Sequence, residues 1–183
     1  RLTLLSAYDS SARSLTSKIL ARPRLLQRIR DAIADPATAH LSCFNATNTE
    51  VALAVRLGIP LYACDPALAR FGTKSGSRRA FREAGVPLPD GFEELRHPDE
   101  LYAALAALKQ RNPDLRRAVI KLEEGFSGEG NAVFDFDKIE ADAVVPAWIE
   151  REMPHRLAPE AVGLTAGAYL AKFAQMGGVA EAW

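Results

Sequence analysis

The sequence predicts an α/β fold in two parts, an alternating strand–helix block followed by an α+β block. Three observations predict it. Strand and helix signals alternate with short connections up to about Gly72, which argues a parallel sheet flanked by helices. The β-branched run Ala118–Leu122 is joined to a second apolar run, ending at Phe134, by a loop holding Gly125, Gly128 and Gly130. A Gly177-Gly178 break then precedes a last strand, Val179–Trp183.

In order, Leu2–Ser6 reads as a short strand. Pro23 opens a helix on which Leu25, Leu26, Ile29 and Ile33 form one apolar stripe. Leu41–Phe44 reads as a buried strand. Thr47 and Glu50 have capping-box spacing before a helix over Glu50–Leu57, which Gly58 ends. Ile59–Cys64 is another strand. Asp65-Pro66 opens a short helix that Gly72 stops.

Thr73 caps the first helix of the second block, which runs to about Ala84. The turn-rich Gly85–Gly91, with two prolines and two glycines, is the best composition-based domain boundary. Pro98 opens a helix with Leu101, Leu105 and Leu108 on one face, and Pro113 closes the unit. The two strands around the glycine loop follow. Asp137–Met153 is ambiguous because Pro146 interrupts it. Pro159–Met176 reads as a helix weakened by Gly163 and Gly167.

Composition narrows the function. The chain has 183 residues and is 48% hydrophobic, enough for one large or two small cores. Lys plus Arg equals Asp plus Glu at 23 each, so no whole-chain field draws it to nucleic acid or an anionic membrane. The arginines at 22, 24, 28 and 30 read as a solvated helix face, with no aromatic residue interleaved to stack bases. Cys43 and Cys64 lack metal-ligand spacing and fit reduced, buried thiols in a cytoplasmic protein. No stretch is apolar enough to span a membrane. The chain begins at Arg1 and stops at Trp183 inside a strand signal, which points to a piece of a longer protein.

The glycine loop carries the chemistry. A hairpin that needs only a turn uses a shorter connection. A long one rich in glycine fits a cover over a ligand, whose backbone N–H groups approach phosphate oxygens. Ser127, Gly128 and Gly130 are the candidate contacts, and Lys121 at the base supplies a compact positive charge. The plainer reading of Lys121 is an edge-strand lysine in solvent. The loop is neither a dinucleotide fingerprint nor a Walker A loop. Lys74, at a helix start that normally prefers acids, is followed by Arg78 and Arg79 and adds positive potential suited to an anion; a structural lysine is the other reading. Glu181 is either the polar position of an alternating strand or part of a hinge that meets adenine. Asp135 and Asp137 read as a polar strand end rather than metal ligands, and no metal site is assigned.

Together these segments resemble the ATP-grasp superfamily, and more narrowly the pheganomycin-type peptide ligases. The resemblance rests on ARPRLLQRI (21–29), FNATNTEVALAVRLGIPLY (44–62), DPALARFGTKSGSRRAFREAGVPLPDG (65–91), KLEEGFSGEGNAV (121–133) and MGGVAEAW (176–183). It implies a Rossmann-like pre-ATP-grasp domain over residues 1–71. The first lobe of the ATP-grasp domain would follow over 72–183, truncated at the adenine hinge. It implies Lys74 and Lys121 at the nucleotide phosphates, Ser127, Gly128 and Gly130 in the flap, and Glu181, Ala182 and Trp183 at the hinge. ATP and Mg²⁺ would be the cofactors, with metal ligands beyond Trp183. A carboxylate and an amine, small molecules or peptides, would be joined through an acyl phosphate. A non-catalytic nucleotide-binding or regulatory module on the same scaffold is the alternative.

Overall fold

A computed structural model describes residues 2–125, 128–137 and 139–183. The chain divides into two units, Arg1–Ala69 and Arg70–Trp183. Each is built on its own sheet.

In the first unit, α1 (Leu15–Leu20) starts at Ser14, whose Oγ accepts from the Ser17 amide at 3.2 Å. Pro23 opens α2 (Pro23–Ala32), where its missing N–H has no helical partner to lose. Strand β1 (Leu41–Ser42), α3 (Asn48–Leu57) and β2 (Leu61–Tyr62) form one β–α–β crossover with parallel strands. The capping box forms: the Glu50 carboxylate accepts from the Thr47 amide at 2.9 Å, and Thr47 Oγ1 accepts from the Thr49 amide at 3.1 Å. Gly58 ends α3 at φ 72°, in the left-handed region that glycine enters without a Cβ clash. Leu26, Leu53 and Leu57 form the core, with Ile29, Leu41 and Ile59 against them.

The alternation predicted a larger parallel sheet than the two short strands that form among the described residues. Leu2–Ser6 is not a strand; it has no ladder partner among the described residues, and Leu2 and Leu4 are exposed. An apolar run without a neighbour to receive its backbone hydrogen bonds gains nothing from extending.

The second unit contains α4 (Lys74–Glu83), β3 (Gly91–Leu95), α5 (Pro98–Arg111), β4 (Arg117–Leu122) and β5 (Asn131–Asp135). Then come α6 (Pro146–Arg156), β6 (Leu157–Pro159), α7 (Ala166–Met176) and β7 (Gly178–Ala182). The sheet order is β3-β7-β4-β5-β6, with every pairing antiparallel. The last strand in sequence therefore sits between β3 and β4. Period-two alternation sends Ala118, Ile120, Leu122, Ala132 and Phe134 to one face. There they pack with Leu101, Leu105 and Leu108 of α5, Ile149 and Met153 of α6, and Tyr169 and Phe173 of α7. Burying side chains of this size stabilises by roughly 1.5–3 kcal/mol each. Lys109 closes α5 from within, its ammonium donating to the carbonyls of Pro113 at 2.5 Å and Leu115 at 3.0 Å.

Four sequence expectations change across the two units. The cysteines are not both buried: Cys64 is exposed and Cys43 partly so, since the short β1 and β2 leave their flanks uncovered. Gly85–Gly91 is no domain boundary, because it lies inside the second unit and links α4 to β3. Pro146 starts a helix at its first position rather than interrupting one. Pro159–Met176 is not a single helix. Leu157–Pro159 pairs with β5, and α7 begins only after Thr165, whose Oγ1 accepts from the Ala168 amide at 3.2 Å. No helix among the described residues is long and apolar enough to cross a membrane.

Candidate functional site

The face of the second sheet opposite its core carries charge. Lys121 lies two residues after Val119 on β4, and Val119 pairs in register with Glu181 of β7, so Lys121 and Glu181 share that face. β4 is the third of five strands, so Lys121 is not the edge-strand lysine of the plainer reading. Its ammonium donates to Glu181 Oε2. The other oxygen, Oε1, accepts from Arg78 Nη1 of α4 at 2.5 Å. Glu181 is 6% exposed and Arg78 5%. Burial pushes the Glu181 carboxyl up, but the hydrogen bonds and charges of Lys121 and Arg78 outweigh it and hold the group below the ordinary glutamate range.

Arg78 is a hub. Its Nε donates to Glu93 Oε2 at 3.1 Å and its Nη2 to the Pro89 carbonyl at 3.1 Å. Glu93 is also paired with Arg82, and that contact, with Arg78, outweighs burial to keep its carboxyl low. Gly91 makes room, since a Cβ there would stand 2.5 Å from the Ala180 carbonyl oxygen and 3.1 Å from Arg78 Nη2. A bulge in β3 completes the network. Phe92 pairs with Ala180 and Leu95 with Gly178, one residue more on β3 than on β7. Glu94 takes φ 60° there. Consecutive residues on a regular strand point to opposite faces, yet here Glu93 reaches Arg78 and Arg82 while Glu94 reaches Arg79. The positive potential expected from Arg78 and Arg79 is thus neutralised internally by carboxylates.

Lys74 has no carboxylate partner among the described residues; its ammonium donates to the Gly125 carbonyl at 3.3 Å. Glu123 holds that helix start in place. Its carboxylate accepts from the Ser75 amide at 2.8 Å and the Ser75 hydroxyl at 2.7 Å, and its carbonyl accepts from the Lys74 amide at 3.3 Å. Because Glu123 follows Lys121 by two residues, the start of α4 is tied to the end of β4. Both lysines and the base of the glycine loop therefore belong to one region.

The loop is pinched at its root. A Cβ on Gly125 would lie 2.7 Å from the Gly130 Cα, and one on Gly130 would lie 2.5 Å from the Gly125 Cα. Leu122 donates its amide to the Gly130 carbonyl at 2.8 Å, and the Tyr169 hydroxyl of α7 is directed at that carbonyl (2.9 Å) and at that of Ile120 (3.0 Å). Burial keeps Tyr169 neutral, with its phenol pushed well up. Gly130 is buried at the loop's end, whereas Gly128, at φ 82°, and Glu129 are exposed. Ser127 lies outside the described residues.

At the end of β7, the Ala182 amide donates to the Asp90 carbonyl at 2.8 Å and the Trp183 amide to the Arg117 carbonyl at 3.1 Å. The Ala182 side chain joins the core face, and the Trp183 ring lies 5.6 Å from the Arg117 guanidinium. Both amide donors are thus engaged within the sheet. Asp137 pairs with Arg116 at 3.0 Å, and Asp135 approaches Arg117 at 3.9 Å, as a polar strand end does. No group of three or more His, Cys, Asp or Glu among the described residues could hold a metal. A cavity of about 430 Å³ borders another side of α4, along Thr73, Gly76, Arg79, Leu95 and Met176, and includes neither Lys121 nor Glu181.

Sequence reasoning missed the roles of Arg78, Glu93, Glu123 and Tyr169. Two had a signal: Arg78 follows Lys74 by one helical turn, and Glu123 shares the strand face of Lys121. Tyr169 had none, since its partners are carbonyls distant in sequence.

The sequence is similar to that of known proteins. A family described as IQCH-like, ATP-grasp matches residues 66–175. IQ motif-containing protein H of Danio rerio is 29% identical over 206 aligned positions, covering 96% of this chain and 19% of that protein. L-propargylglycine–L-glutamate ligase of Streptantibioticus cattleyicolor is 34% identical over 143 positions, covering 76% of this chain and 30% of that one. The chain thus spans about a fifth and about a third of these relatives. No solved structure gives a significant match.

Proposed function

The chain belongs to the IQCH-like ATP-grasp family, and from that premise we propose that it supplies the phosphate-binding part of an ATP-dependent carboxylate–amine ligase. One observation carries the reading. Two lysines distant in sequence are brought to the root of one glycine loop, Lys74 on the Gly125 carbonyl and Lys121 four residues before it. Ammonium groups there, beneath a loop with small residues, suit a polyphosphate. The mixed helix and antiparallel-sheet architecture of Arg70–Trp183 agrees with an ATP-grasp lobe.

Bound ATP would supply its γ-phosphoryl group to a carboxylate, leaving ADP and an acyl phosphate; an amine would then attack the acyl carbon, expelling inorganic phosphate and losing a proton to give an amide. The residues present act by position and charge. Lys74 and Lys121 neutralise phosphate oxygens. Ser127, Gly128 and Gly130 form or close the cover. Glu181, Ala182 and Trp183 form the hinge beside the base. Magnesium finds no ligand set among the described residues: Glu123 caps α4 and Glu181 is paired with two cations, so no step is assigned to it. The ligase named among the relatives favours a carboxylate and an amine as substrates and catalysis over a purely regulatory nucleotide module. A cytoplasmic setting fits these substrates.

The test is ADP release by the full-length protein given ATP, a panel of carboxylates and a panel of amines. ADP formation that needs both partners and is lost in Lys121→Ala supports the ligase. ATP binding without turnover in any combination favours the regulatory module.

A further inference from the structure

We propose that Arg78 is a positioning residue that frees Lys121 for phosphate by keeping Glu181 neutralised when the lysine leaves it. This rests on the nucleotide reading of the site. Each oxygen of the Glu181 carboxylate holds one cation, Oε1 on Arg78 and Oε2 on Lys121. The two cations differ in freedom. The Arg78 side chain is 6% exposed and fixed by Glu93, Glu181 and the Pro89 carbonyl. The Lys121 side chain is 32% exposed, with Glu181 as its single ion-pair partner among the described residues. A planar guanidinium with its fork filled stays where it is, whereas an ammonium on a four-carbon stem swings.

That asymmetry decides what a polyphosphate meets. A buried carboxylate stripped of its counter-ion is strongly disfavoured. With Arg78 in place, Lys121 exchanges one anion for another and Glu181 keeps a partner. Without Arg78, Lys121 is the sole counter-ion of a desolvated carboxylate, and phosphate must compete for it. The charged groups facing Glu181 come from α4 (Arg78), β4 (Lys121) and β3 (Glu93), and Glu93 is itself occupied by Arg78 and Arg82. Arg78 also stands one helical turn after Lys74, so fixing it fixes the rotation of α4 that aims Lys74 at the loop.

The experiment measures inorganic tripolyphosphate binding by calorimetry in the full-length protein near neutral pH. Tripolyphosphate carries no base, so any contact of Glu181 with adenine does not enter. Arg78→Gln is expected to weaken binding by about tenfold or more, a factor set by the cost of an uncompensated carboxylate. Adding Glu181→Gln to it should restore affinity to within about threefold of wild type, since the competitor for Lys121 is gone. Loss of a merely structural contact predicts no such rescue. Equal affinity in Arg78→Gln and the double variant overturns the proposal. If Arg78→Gln melts too low to assay, Arg78→Lys, which loses the planar fork, decides: tripolyphosphate affinity that falls and is restored by adding Glu181→Gln supports the proposal, and affinity that is unchanged or not restored overturns it. A wild-type protein that binds tripolyphosphate but not ATP, or neither, overturns the nucleotide reading itself and this inference with it.

Discussion

The two faces of the five-stranded sheet are made by the same strands and differ in almost every property. On β4, Ala118, Ile120 and Leu122 are buried against helices, while the residues between them, Val119 and Lys121, are partly exposed. On β5, Ala132 and Phe134 go inward, and Asn131, Val133 and Asp135 go the other way. One face is packed with apolar side chains, and the Tyr169 and Lys109 side chains there donate to backbone carbonyls. The other has Lys121, Glu181, Arg78 and Glu93 in a chain of paired charges. The comparison teaches that the core face fixes where the strands lie, and the charged face uses that fixed frame to hold cations at set places. Electrostatics of this kind gives position more than stability.

That division can be broken from either side. The largest effect should come from the core face. Phe134→Ala removes a ring in contact with Phe136, at 5.1 Å between centroids, and should destabilise the second unit by about 3–5 kcal/mol in urea denaturation. A loss below about 1 kcal/mol would mean the core face does not carry the fold.

Arg78→Ala crosses the comparison, because it sits on the charged face yet leaves Glu93 and Glu181 short of a partner. A loss of about 3–5 kcal/mol is expected, most of it regained when Glu181→Gln and Glu93→Gln are added. The same network sets the response to acid. Glu181 and Glu93 have carboxyls lowered in the folded state, so the unfolded chain takes up protons first. Their stabilisation is fully present above the ordinary value of 4.5 and is lost as pH falls through their folded values. Melting temperature should therefore drop on acidification below that point, and less steeply in the Glu93→Gln, Glu181→Gln double variant. Identical slopes would contradict the assigned pairing.

Tyr169→Phe tests a polar link from the core side to the glycine loop. It removes a donor from the Ile120 and Gly130 carbonyls and should cost about 1–3 kcal/mol. Faster hydrogen exchange at the Leu122 amide, whose acceptor is Gly130, would show that the loop root loosens. The smallest stability effect belongs to Lys74→Ala. Among the described residues its ammonium contacts a single carbonyl, so stability should stay within about 0.5 kcal/mol while nucleotide affinity falls.

Much of this was legible in the sequence. The caps at Thr47 and Thr73, the stop at Gly58 and the stripe of Leu101, Leu105 and Leu108 follow from local rules and form as read. Pairing partners were not legible, because β7 inserts between β3 and β4 across the length of the second unit. That insertion makes Lys121 central and brings Glu181 to it. The loop glycines show the same limit. Composition marked them as room for a ligand, whereas Gly125 and Gly130 are small because they touch each other. The bulge at Glu94 was equally hidden, since nothing in the Glu93-Glu94 pair signals that both turn to α4.

The central claim, that the charged face binds nucleotide through Lys74 and Lys121, is tested most directly by calorimetry of ATP with full-length wild type, Lys74→Ala and Lys121→Ala, alongside their melting temperatures. The account predicts that each substitution weakens ATP by at least about tenfold, equivalent to about 1.4 kcal/mol, with melting temperatures close to wild type. Unchanged affinity in both folded variants would contradict it.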